Sequence, residues 1–235
     1  MSSLFLVSCA TDDDPYAGLG EQNIYYGGQA ALADKDYEEA VGYYEALEAK
    51  FPYGAYAYQE SLNIIYAYYQ NEDYTDALTA AQRFIHFYPT DPHVDYAYYM
   101  QAMSQYAQSR SFLERYFAVD PSERDITPVM QAFEYFDLLV ENYPSSIYVH
   151  DARLHMVDIR NGLARNNLLV AEYYYSRGAL VAAINRAGVV VLHYQGTPSV
   201  LPALQLLLRC YHELGLTHDE NLTRQVLKAN FPNAV

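Results

Sequence analysis

Few side chains in this sequence stand at spacings that could do chemistry. His150 and His155 are five apart on one helical stretch, which is not the i, i+4 spacing of a zinc pair, and no glutamate lies between them. His86 and His93 flank a proline-containing loop. No glycine-rich phosphate loop, dinucleotide fingerprint or nucleophile elbow occurs. Two cysteines, Cys9 and Cys210, are too few for a disulfide framework or a multi-thiolate zinc site. Carboxylates are abundant, but they fall in turns and on helix faces, where no acid–base pair stands out. The expectation is a protein that is no enzyme, with no catalytic residue, no metal and no cofactor. One modification signal stands apart. Leu6-Val7-Ser8-Cys9 ends a short apolar run just before Asp12-Asp13-Asp14-Pro15. It has the form of a bacterial lipobox, cleaved before Cys9 and lipidated on its thiol. A chain processed there is anchored to a membrane and does not span it. Cys210, in an apolar helical run, reads as a buried inert thiol.

The other conspicuous side chains are tyrosines, 27 of 235 residues against 9 phenylalanines and no tryptophan. Tyr25-Tyr26, Tyr68-Tyr69, Tyr98-Tyr99 and Tyr173-Tyr174-Tyr175 are runs that cannot all face a core, because neighbours on a helix diverge by about 100°. Some rings must line a groove or face water. Rings give contact area at low entropic cost, so a groove of them suits an extended peptide. Tyr25, Tyr66 and Tyr69 are its candidate rings, and Asn63 and Arg83 its candidate partners for peptide backbone. The formal charge of −15 makes nucleic acid and bare anionic lipid poor partners for the chain as a whole.

A repeat positions these side chains. Phe51-Pro52, Tyr88-Pro89, Tyr143-Pro144 and Phe231-Pro232 each end a helical pattern, and Tyr194-Gln195 fills the same slot without proline. Proline stops a helix because it lacks the N–H and clashes with the preceding turn. Upstream of each mark one grammar returns: Ala40, Tyr44 and Leu47; Ala77, Ala81 and Phe84; Ala132, Phe136 and Leu139; Ala183, Ala187 and Val190. This spacing is helical, and the alanines mark close helix crossings. Asp34-Lys35-Asp36, Asn71-Glu72-Asp73 and Arg177-Gly178 fall where hairpins turn. Gly27 and Gly28 are adjacent where one small residue suffices for a crossing, and each internal glycine costs about 1 kcal/mol relative to alanine.

Tetratricopeptide repeats have this form: helical hairpins of about 34 residues with a small residue at the crossing and proline at the exit. The predicted fold is all-α, a right-handed superhelical solenoid of five such hairpins. Residues 1–20 would be a lipobox and disordered tether, 21–116 the N-terminal repeats and 117–235 the C-terminal repeats, sharing one rigid rod. Two spacings exceed a repeat. The third unit has a first helix near 94–113, a connection at 117–125 and a second helix from about 127; the fourth has one long helix near 148–176. Insertions in repeat arrays map to faces that bind partners.

Phe51-Pro52-Tyr53-Gly54, Tyr66-Ala67-Tyr68-Tyr69, Asp95-Tyr96-Ala97-Tyr98-Tyr99, Arg124-Asp125, Tyr173-Tyr174 with Arg177-Gly178, and Ala182-Ala183-Ile184-Asn185-Arg186 follow in order along the chain. With the Cys9 motif they make the sequence resemble the BamD family, the tetratricopeptide lipoproteins of the bacterial outer-membrane β-barrel assembly machinery. The resemblance implies a non-enzymatic scaffold, lipid-anchored at the periplasmic face of the outer membrane and touching the membrane only through that lipid. It implies that Arg186, with Asn185 and Arg177, meets a POTRA domain of the barrel subunit BamA. It further implies that the N-terminal repeats receive unfolded outer-membrane proteins, and that BamC and other assembly lipoproteins bind along the surface where they occur. The alternative is another periplasmic tetratricopeptide module, an envelope or cell-division coordinator, without POTRA docking.

Overall fold

Asp34-Lys35-Asp36 ends one helix and begins the next. α1 (Glu21–Asp34) closes on Lys35 at a left-handed φ of 62°, and α2 (Tyr37–Lys50) opens on Asp36, whose Oδ1 accepts the Glu39 N–H at 3.1 Å. Glu72, at φ 66°, makes the same turn between α3 (Ala57–Gln70) and α4 (Tyr74–Phe87). α5 (Val94–Arg115) precedes α6 (Thr127–Asn142). α7 (Val149–Ser176) reaches α8 (Leu180–His193) through Gly178 at φ 72°, and α9 (Val200–Glu213) reaches α10 (Thr217–Asn230) through Gly215 at φ 69°. This computed structural model describes residues 14–115 and 126–234, and among them there are ten α-helices and no strand. The architecture is all-α and pairs its helices into five hairpins. The proposed lipidation site, Cys9, lies outside the described residues, as does the 117–125 connection.

The recurring residues are the core. All twelve positions of the four-unit grammar are buried. Each aromatic mark also closes its helix: the N–H groups of Phe51, Tyr88, Tyr143, Tyr194 and Phe231 donate to the carbonyls of Leu47, Phe84, Leu139, Val190 and Leu227. The fifth hairpin departs from the rule. Its slots hold Glu220 and Arg224, an ion pair at 2.7 Å, so α10 turns a polar face outward, as a terminal repeat must for solubility. At 28 residues α7 is about 42 Å long.

The chain divides into two compact units, up to Met100 and from Gln101, the division falling within α5. In the first, Ile24, Tyr44, Ile64, Ile65 and Phe84 are fully buried. Here the glycine pair finds its explanation. A Cβ at Gly28 would lie 2.8 Å from the Tyr44 ring, and one at Gly27 would overlap the Tyr43 ring. Two consecutive tyrosines of α2 press on two consecutive positions of α1, so one small residue would not suffice. In the second unit, Ala164, Leu168, Ala183, Ala187, Val190, Leu206 and Cys210 make one aliphatic cluster. The first unit holds 3 basic and 16 acidic residues, a formal charge of −13; the second holds 11 and 13, a charge of −2.

Candidate functional site

Within the first unit α1 and the start of α3 enclose a concave site of ≈ 380 Å³. Tyr25, Tyr26 and Gln29 line one wall; Ala55, Tyr56 and Gln59 line the other. The Tyr25 and Tyr56 rings stack with centroids 4.4 Å apart and planes 19° apart. Tyr26 stands edge-on to both, 5.4 Å from Tyr25 and 6.0 Å from Tyr56. Such pairs contribute about 0.5–1.5 kcal/mol beyond the area they bury. Glu21 fixes the opposite wall, its Oε1 accepting the Tyr56 N–H at 2.9 Å. Beneath the rings, Gln29 Nε2 donates to the buried Tyr44 hydroxyl at 2.8 Å, and the Asn63 amide is within reach of the same oxygen. Burial, above all, drives the Tyr44 phenol far above the ordinary tyrosine value. Rings and amides of this kind can hold an apolar side chain and bond an extended backbone, but they have no acid–base pair to offer.

The structure distributes the candidate residues unevenly. Tyr25 is in the groove. Asn63 and Tyr66 continue the stripe of α3 that Tyr56 and Gln59 begin; Tyr66 is 40% exposed, edge-on to Tyr37 at 6.3 Å. Tyr69 turns to its own hairpin, 5.6 Å edge-on from Tyr74. Arg83 is elsewhere, on α4, with its guanidinium forked onto the Glu48 carboxylate of α2, Nη2 to Oε2 at 3.0 Å. Gln29, Tyr56 and Gln59 were not among the candidates. Gln29 could have been found at i+4 from Tyr25, whereas Tyr56 lies in a turn where helical spacing gives no guide. Behind the groove, Glu60 is 3% exposed, and its Oε1 has no hydrogen-bond partner. Burial, reinforced by Glu48, pushes its carboxyl up to about 8, against the opposing pull of Arg83.

In the second unit Arg177, Asn185 and Arg186 are exposed along the α7–α8 hairpin. The Arg177 guanidinium lies over the Tyr173 ring at 5.2 Å, and Arg186 Nη1 donates to Asn167 Oδ1 at 3.4 Å. Asn167 is itself buried and bonded to the Leu163 carbonyl. An anchored guanidinium is well placed for a carboxylate on a partner. Nearby, Met130, Phe133, Glu134, Arg160, Leu163, His193 and Tyr194 line a concavity of ≈ 420 Å³. His155 is a packed residue: its ring stacks on Phe136 at 5.3 Å and stands 5.0 Å from Tyr106, with Nε2 3.2 Å from Asp151. Cys210 is fully buried, and burial pushes its thiol up, away from reactivity. Among the described residues no cluster of His, Cys, Asp and Glu could hold a metal ion. None of the described helices is long and apolar enough to cross a membrane.

The sequence model of the outer membrane lipoprotein family YfiO matches residues 19–227, from the start of α1 almost to the end of α10. This chain belongs to that family. Curated relatives agree along their lengths. The outer membrane protein assembly factor BamD of Vibrio cholerae is 35% identical over 225 residues, covering 96% of this chain and 93% of its own. The protein of the same name from Neisseria meningitidis serogroup A is 37% identical over 237 residues, covering 98% and 89%. Among solved structures, a thermophilic TPR protein of Thermus thermophilus aligns with 91% of this chain and 93% of its own, at a TM-score of 0.41 and 14% identity. The matched span of this YfiO-family chain crosses both units and includes the groove and the α7–α8 hairpin.

Proposed function

We propose that this chain is a non-enzymatic assembly factor for outer-membrane β-barrel proteins, held by lipid on Cys9 at the periplasmic face of the outer membrane. The groove of Tyr25, Tyr26, Gln29, Tyr56 and Gln59 receives an extended segment of an unfolded barrel protein. The exposed Arg186, with Asn185 and Arg177, meets an acidic residue on a POTRA domain of BamA, and other assembly lipoproteins such as BamC join the same complex. The observation that carries this reading is the placement of an aromatic, amide-lined groove and an anchored exposed arginine inside a family match that covers nearly the whole chain. The assembly role itself is taken from the relatives' shared name.

The test separates the two surfaces. Tagged protein purified from solubilised outer membrane should bring BamA with it; recovery without BamA would sink the reading. Arg186→Glu should cut BamA recovery tenfold or more, as loss of a hot-spot arginine does, while circular dichroism stays unchanged. Tyr25→Ala with Tyr56→Ala should leave BamA recovery intact and weaken crosslinking to unfolded barrel proteins by a similar factor. Equal crosslinking by the double variant would remove the groove from the proposal.

A further inference from the structure

The tether leaves the first unit at an end that exposes aromatic rings. Asp14 is fastened to the last turn of α2: its Oδ2 lies 2.7 Å from Lys50 Nζ, which also donates to the Tyr16 carbonyl at 2.6 Å. Five residue-to-residue steps of chain lead from Cys9 to Asp14, a reach of at most about 18 Å. Lipid on Cys9, which the proposed function requires, therefore holds the Lys50 end of α2 close to the headgroup layer.

Three elements come to that end. Tyr53, three residues past Lys50, is 99% exposed. The fork between Arg83 and Glu48 sets α4 abreast of α2 one turn before both exits, so Phe87, the last residue of α4 and 66% exposed, emerges beside the same turn. α1 begins there as well, since Glu21 accepts from the Tyr56 backbone. Two large apolar side chains thus project where the anchor begins. A tyrosine ring settles at the level of lipid headgroups, and an exposed phenylalanine ring gains by leaving water beside it. The formal charge of −13 on this unit disfavours an anionic surface and leaves a zwitterionic one.

We propose that the α2 and α4 exits, with Tyr53 and Phe87, rest on the zwitterionic phospholipid layer that holds the Cys9 lipid. The anchor then fixes the orientation of the first unit as well as its location.

The chain has no tryptophan, so a single reporter is clean. Full-length lipidated Tyr53→Trp protein is reconstituted into phosphatidylcholine vesicles, with and without brominated acyl chains. A second protein carries Glu38→Trp, at the opposite end of α2, about 18 Å away along the helix. The Tyr53→Trp emission should shift to the blue and lose most of its intensity on brominated lipid, while the Glu38→Trp emission keeps its intensity. Equal intensity of the two reporters in protein that floats with the vesicles would overturn the inference and leave the anchor standing. Failure of the lipidated protein to float would overturn the anchor and the inference together.

Discussion

The two units answer the same packing problem with different residues. The first closes its hairpins on Lys35 and Glu72, which must hold left-handed φ with a side chain attached; the second closes on Gly178 and Gly215. Two helical glycines of the first, Gly27 and Gly28, stand where Tyr43 and Tyr44 need space, whereas a methyl added at Gly162 or Gly188 of the second would have nothing within 4 Å. The first holds 17 of the 27 tyrosines and nearly all the net charge. A buried carboxyl, Glu60, and a buried phenol, Tyr44, go with the groove there. In the second unit an aliphatic cluster, with neutral polar side chains such as Ser104, Asn167 and Thr197 also buried, presents an arginine on its surface. The difference teaches that a repeat fold leaves function free to settle unevenly: the backbone plan repeats, while the tyrosines, the net charge and the buried carboxyl of Glu60 are concentrated in one unit.

The largest effect expected from breaking this contrast is at Glu60. Its carboxyl titrates at about 8 in the folded chain against an ordinary 4.5, so the unfolded chain loses its proton first. Stability is therefore complete below about pH 4.5 and falls as the pH rises to about 8, then levels. Glu60→Gln should remove that slope and gain on the order of 3 kcal/mol at pH 8, read as a higher urea midpoint. Glu220 of the second unit has the opposite sign. The hydrogen bond from Arg224, with a further one from His212, lowers its carboxyl, so its contribution is present near neutrality and lost as acid protonates it. Glu220→Gln should lower the midpoint slightly at pH 7 and make no difference well below its folded value. A slope as steep in Glu60→Gln as in the parent chain would refute the buried-carboxyl account.

Smaller effects should come from the glycines. Gly28→Val drives a side chain into the Tyr44 ring and should cost about 1–3 kcal/mol. Gly188→Ala should instead gain up to about 1 kcal/mol from helix propensity, since its space is open. Thermal unfolding of the two variants should move in opposite directions. At the turns, Lys35→Gly and Glu72→Gly should each stabilise by about 1 kcal/mol, and Gly178→Ala and Gly215→Ala should each destabilise by as much. If the glycine variants of the first unit melt no higher, the turn contrast is not energetic.

The sequence spells out the fold almost completely, because burial repeats with the period of the chain. Ala77, Ala81 and Phe84 announce a buried face by their spacing alone, and Pro89 announces its end. The groove was less legible. Tyr25 could be chosen as a ring, but its partner Tyr56 belongs to a turn, and stacking between them depends on how two hairpins meet. Arg83 could not be assigned for the same reason: its partner, Glu48, is 35 residues away on the neighbouring hairpin. Glu60 was hidden altogether, since a glutamate in a polar stretch gives no sign that α2 and α4 will close over it.

The Tyr44 hydroxyl ties Gln29 on α1 to α2 and has Asn63 of α3 within reach. One oxygen thus joins three helices, so none of these three positions can drift alone. Replacing the tyrosine by phenylalanine strands half-buried amides, and replacing an amide leaves a buried phenol short of a donor. The ancestry of the groove is therefore written as a block: these residues should change together across relatives or not at all, however freely the exposed rings above them are exchanged.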